Sequence, residues 1–257
     1  VIAKLISKFR PGFVATLTAL LTVSFNAHST PDKAVSGSLL AAPHNQLSQK
    51  EKQQGWQLLF DGESLSGWHV FQYPDTVPAW TVKEDMLTFN PAARGLQHGD
   101  LATDKVFENF ELKFEWQSPE NGNSGVFINV QETPESVTPW QTGPEYQLLG
   151  VAHGDNADPV KRSGGIFGFA SPLTASDFLA SSGWNQSVIK QQDGKVEFYL
   201  NGKLTARADL TSDQWQSQLA RSRFKDQAGF GAYTKGHIVL QQWTSLIYFR
   251  NIKIKSL

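Results

Sequence analysis

The chain has 257 residues, with 23 lysine and arginine residues against 24 aspartate and glutamate, a formal net charge of −1, and no cysteine. Without a basic stripe there is little to displace counterions from phosphates, so no nucleic-acid partner is expected. The lack of cysteine excludes a disulfide framework and any thiolate-held zinc or iron–sulfur centre.

Residues 1–29 read as a secretory signal peptide. Lys4, Lys8 and Arg10 form a basic stretch, an apolar run follows from Gly12 to Phe25, and Ala27-His28-Ser29 gives the small-x-small pattern that places cleavage after Ser29. The apolar run is short for a span, so no stable membrane insertion is expected after cleavage, and the expected location is periplasmic or secreted. Residues 30–54, polar and small with Pro31 and Pro43, read as a flexible linker. No further composition break divides 55–257, which reads as one domain.

Strand signals fill that domain. In ELKFEWQ, Leu112, Phe114 and Trp116 alternate with Glu111, Lys113, Glu115 and Gln117, the period of a half-buried strand. The same logic covers SGVFINV (124–130), EYQLLG (145–150), SVIKQQ (187–192), KVEFYLNG (195–202), GHIVLQQW (236–243) and YFRNIKIK (248–255). Asp193-Gly194 and Asn201-Gly202 tolerate positive φ and predict tight hairpins. One short helix is predicted from Gln214, capped by Thr211, Ser212 or Asp213, with Trp215 and Leu219 on one face. Regular strand spacing with one minor helix predicts an all-β sandwich or barrel. Phe60, Trp80, Phe110, Phe114, Trp116, Phe198 and Phe249 are its expected core. Trp140, Trp184, Trp215 and Trp243 sit beside loops or turns, where an indole either anchors the loop or stacks on a sugar ring.

The runs GWQLLFDGESLSGW, WTVKEDMLTFN, DLATDKVFENFELKFEWQ, NGNSGVFI, GPEYQLLG, SGGIFGF, GWNQSVIKQQDGKVEFYLNGKL and GHIVLQQW, in this order and spacing, resemble the 3-keto-disaccharide hydrolase domain family across 55–257. The resemblance implies a concanavalin-like jelly-roll sandwich of two antiparallel sheets. It also implies an exported enzyme acting on a saccharide oxidised to a ketone at carbon 3. Such a ketone acidifies the carbon-2 proton and leaves the glycosidic oxygen β to the resulting enolate, so cleavage becomes elimination followed by hydration. That chemistry needs a base near carbon 2, a donor or cation near the ketone oxygen, and an acid near the leaving oxygen.

In EYQLL, Glu145, Gln147 and Leu149 share one face of a strand, and His153 follows in a loop. Glu145 and His153 are the candidate catalytic residues, as base or as ligands to one divalent metal ion; no organic cofactor is expected. The plainer alternative is a solvated strand face and a loop histidine. Asn123 and Ser124 suit sugar hydroxyls or simply a turn. Gln147, His237 and Gln241 are expected on a ligand-facing surface, Trp184 as a stacking ring, and Arg162, beside Lys161, as a cation. Three departures stand out: Gly150 where relatives carry an acid, Ile128, Asn129 and Val130 where they place an arginine, and Gln242, Trp243 and Thr244 where they carry an acid, a histidine and a glycine. These keep open a rival, a non-catalytic carbohydrate-binding module on the same fold. No E-x-D-x-x-E run supports an ordinary retaining glucanase.

Overall fold

The computed structural model describes residues 43–173 and 183–257. An eight-stranded antiparallel sheet contains β1 (Gln57–Leu58), β3 (Trp80–Lys83), β4 (Met86–Phe89), β6 (Phe110–Gln117), β9 (Asn185–Gln192), β10 (Lys195–Leu200), β11 (Lys203–Asp209) and β13 (Ile247–Ser256). Its order is β11-β10-β9-β6-β13-β4-β3, with β1 also paired to β13. The second, five-stranded antiparallel sheet runs β2 (Trp68–Val70), β5 (Leu101–Thr103), β12 (His237–Leu240), β7 (Asn123–Val130), β8 (Glu145–Leu149). Two short helices accompany them, α1 (Gln49–Gln53) and α2 (Asp213–Leu219). This is the two-sheet, nearly all-β architecture that the strand spacing predicts.

Alternation builds the core. Leu112, Phe114 and Trp116 of β6 and Phe249, Ile252 and Ile254 of β13 share one buried cluster with Val126, Ile128, Tyr146, Leu148, Ile238 and Leu240 from the five-stranded sheet. All seven expected core aromatics are buried. Tyr146 packs its ring 5.8 Å from Phe114 and 4.9 Å from Phe198. Its hydroxyl and the Trp116 indole both reach the Ser187 hydroxyl at 3.0 Å, so the polar atoms buried with these rings are satisfied. With Tyr146 and Leu148 inward, β8 has to present Glu145 and Gln147 on the outer face of its sheet.

Both glycine dipeptides form the expected hairpins: Asp193 and Gly194 have φ of 50 and 76°, Asn201 and Gly202 48 and 80°. Ser212 caps α2 by accepting from the Trp215 amide. That turn carries Trp215 into the core against Phe169 and Phe230 rather than leaving it beside a loop. Residues 43–54, the later part of the expected linker, lie against the domain. Asn45 and Asn251 exchange two amide-to-side-chain bonds of 2.7 Å, and Glu51 of α1 pairs with Lys253. The signal-peptide reading of 1–29 and the linker reading of 30–42 fall outside the described residues. Among the described residues no helix is long and apolar enough to cross a membrane.

Candidate functional site

Strand register aligns two rows of side chains across the outer face of the five-stranded sheet. Glu145 faces Phe127, which faces Val239, then Ala102, then His69. In the neighbouring row Gln147 faces Gly125, whose carbonyl accepts from the Gln241 amide at 2.8 Å. Asp100 closes that row, its Oδ1 accepting from the Gln242 amide at 2.6 Å. Phe127, Val239 and Ala102 pack with Phe71 and Val130 into a small buried apolar cluster, so the polar groups meet around Gly125.

Gly125 makes room on this face for the Glu145 carboxyl. A Cβ there would lie 2.1 Å from Glu145 Oε1, so the carboxyl leans into the space a side chain would fill. Glu145 is only 6% exposed, yet its Oε1 has no hydrogen-bond partner, and the same is true of the buried Gln241 Oε1. Burial holds the Glu145 carboxyl well above the usual range. The negative charge of Asp100 adds to that, while a hydrogen bond from Gln241 and the positive charge of Arg223 oppose it. Burial likewise pushes Asp100 up to about 7, against the pull of the Gln242 amide. A carboxyl held high thus shares the face with one poised near neutrality, the division of labour an acid and a base require.

The remaining expected residues sort by strand parity and by prior engagement. Asn123 lies on the same face as Gly125, one pair further along, and is part-exposed. Gln147 is on the right face but buried at 1%, and its Oε1 accepts from the next amide, Leu148. Ser124 is not a ligand contact: its parity turns it inward, where its hydroxyl donates to the Gln241 carbonyl. Trp184 belongs to the other sheet, beside β9, with the Arg250 guanidinium 3.9 Å above its ring. The Nε of Arg162 is spent on the Asn156 carbonyl and Lys161 on Asp155. His237 donates Nδ1 to the Thr103 carbonyl and meets His69 edge-on at 6.0 Å, away from Gln241.

Glu145 and His153 do not form a ligand pair. They lie at opposite ends of β8, separated by about 13 Å of strand. The His153 Nδ1 already accepts from the Asp155 amide as a cap. Among the described residues no three His, Cys, Asp or Glu side chains gather as a metal donor set. Gly150, one of the three departures from the family pattern, admits no side chain: a Cβ would lie 2.2 Å from the Pro119 carbonyl oxygen. A cleft of about 400 Å³ lined by Lys83, Met86, Gln117 and Tyr248 belongs to the eight-stranded sheet and contains neither Glu145 nor Asp100. Asp100 and Arg223 are the functional candidates that sequence reasoning missed.

Comparison with known proteins bears on the family and the fold. The family model described as the 3-keto-alpha-glucoside-1,2-lyase-like domain matches residues 55–255. A curated 3-keto-disaccharide hydrolase from Bacteroides thetaiotaomicron is 29% identical over 251 residues, covering 86% of this chain and 85% of that protein. A crystal structure from Parabacteroides distasonis, assigned as a glycosyl hydrolase, is 30% identical with a TM-score of 0.75, over 84% of this chain and 100% of that one. A second from the same organism, at 24% identity and a TM-score of 0.60, covers 79% of this chain and 99% of its own and shares the fold.

Proposed function

The chain belongs to the 3-keto-alpha-glucoside-1,2-lyase-like domain family, and we propose that it is an enzyme cleaving the glycosidic bond of saccharides oxidised at carbon 3, with Asp100 as base and Glu145 as acid. The observation that carries this is the buried Glu145 carboxyl, its Oε1 without a hydrogen-bond partner, within electrostatic reach of Asp100 on one face of the sheet. Asp100, ionised in part at neutral pH, takes the proton from carbon 2, and the electrons of that bond move onto the carbon-3 oxygen as an enolate. Collapse of the enolate expels the oxygen on carbon 1, which receives the proton of Glu145. Water then adds across the new double bond, returning a proton to carbon 2 and a hydroxyl to carbon 1. The sum of the two halves is hydrolysis.

Gln241, whose Oε1 is buried without a partner, is the adjacent hydrogen-bonding group for the sugar hydroxyls. Asn123 adds a second polar contact on the same face. The apolar patch of Phe127, Val239 and Ala102 keeps water from one side of the pair and sustains the shifted carboxyls.

The test is release of a chromogenic phenol from its 3-keto-glucoside. The wild type is expected to release it and Glu145→Gln to lose about 100-fold or more in kcat, with binding of the substrate retained. Saturable binding without release by the wild type would reduce the protein to a carbohydrate-binding module.

A further inference from the structure

Arg223 stands in the turn that follows α2, exposed to solvent. Its guanidinium carbon is 5.3 Å from the Phe167 ring and 5.5 Å from the Phe224 ring. Its Cδ lies over Gly168, in the space that a side chain at that position would need. The Phe167 amide in turn donates to the Glu145 carbonyl at 3.0 Å, which brings Arg223 to the same edge of the sheet as Glu145. Its charge acts on Glu145 from there. Among the described residues the guanidinium makes no hydrogen bond and no ion pair. By contrast Arg250 is paired with Glu115, Arg162 with a carbonyl and Lys161 with Asp155.

An arginine that merely solvates a surface needs no fixed plane. Here two phenylalanine rings and a glycine fix the stem and the guanidinium face, so little side-chain freedom remains to be lost when the N–H edge meets a ligand. That edge presents parallel donors at the spacing of a carboxylate's two oxygens.

Resting on the cleavage reading above, we propose that Arg223 is a specificity-determining residue that binds a carboxylate on the substrate, so that the preferred 3-keto-glycosides are anionic. The carboxylate comes either from the leaving group or from a uronic-acid ring, and the probes separate the two. They are the 3-keto-glucoside of 4-hydroxybenzoate, its uncharged benzamide counterpart, and a 3-keto-glucuronide of an uncharged phenol.

The wild type is expected to favour one carboxylated probe over the benzamide in kcat/KM. Arg223→Ala and Arg223→Gln are expected to lower that preference about 10- to 100-fold, the worth of a charge-assisted hydrogen bond, chiefly through KM. Arg223→Lys recovers part of it, and added salt narrows it. Equal kcat/KM for acid and amide in the wild type, or an equal loss for both in Arg223→Ala, overturns the proposal. If no 3-keto probe is cleaved by any form, the cleavage reading fails by itself. Equilibrium binding of the same probes then decides Arg223: tighter binding of acid than amide, lost in Arg223→Ala, upholds it, and equal binding refutes it.

Discussion

Gly125 has no side chain, and the Glu145 carboxyl occupies the space one would need. Gly125→Ala is therefore expected to push that carboxyl away from Gln241 and Asp100. The measured result should be a fall of about 100-fold in kcat, because a displacement on the order of 1 Å suffices to spoil proton transfer. Asp100 carries a pH signature of its own. Its folded-state value, about 7, lies above the ordinary 3.8, so the stability it contributes is complete below pH 3.8 and is lost as pH rises towards 7. Asp100→Asn keeps an oxygen for the Gln242 amide and removes the ionisation. The difference in melting temperature, mutant minus wild type, should grow from pH 4 to pH 8; a constant difference would show that Asp100 is not held protonated. Glu145 was legible because period-two alternation in EYQLL fixes its face once Tyr146 and Leu148 are taken as core. Asp100 was not, because it precedes a strand of three residues, all buried, too short for alternation to appear. Arg223 lies in a turn whose placement depends on contacts with Phe167 and Gly168, remote in sequence.

At the scale of elements, β8 explains why Gln147 disappointed its expected role. The segment after Arg162 runs back along that strand, exchanging backbone bonds between Gly164, Gly165 and Gln147 and between Phe167 and Glu145, and it closes that edge of the sheet. Nothing local in SGGIFGF announces such a partner. The amino-terminal segment was equally opaque, since its hold on the domain comes from Asn45 and Asn251, 206 positions apart. Asn45→Ala should leave the Asn251 amide without its acceptor and cost about 1–3 kcal/mol in urea unfolding. His69 of β2 ties three segments together: protonated, its two ring N–H groups donate to the Asp104 and Glu132 carboxylates at 2.8 Å. Burial opposes its charge, but the two carboxylates raise its value above 6.5, so its contribution is complete below that pH and lost as pH rises through the raised value. Facing it are Asp104, Glu132 and His237. His69→Gln should flatten the fall in stability above pH 6.5, as melting curves would show.

Across the whole molecule, the sandwich was the most legible level. Alternating aromatics, two Asn-Gly or Asp-Gly hairpins and a single capped helix each pointed to the same two-sheet core, and consistency of local signals is what specifies a fold. The site was less legible because it is assembled by register between β5, β7, β8 and β12, which lie far apart in sequence. Trp184 illustrates the difference: a tryptophan next to a strand looks the same from either sheet, and only the pairing assigns it to Arg250. The central claim is that cleavage begins by taking the proton from carbon 2. The most direct measurement compares the cleavage rates of a 3-keto-glucoside carrying hydrogen and one carrying deuterium at that carbon. The account predicts a several-fold slower reaction for the deuterated substrate, with the unoxidised parent glucoside left intact; equal rates for the two isotopologues, together with cleavage of the parent, would contradict it.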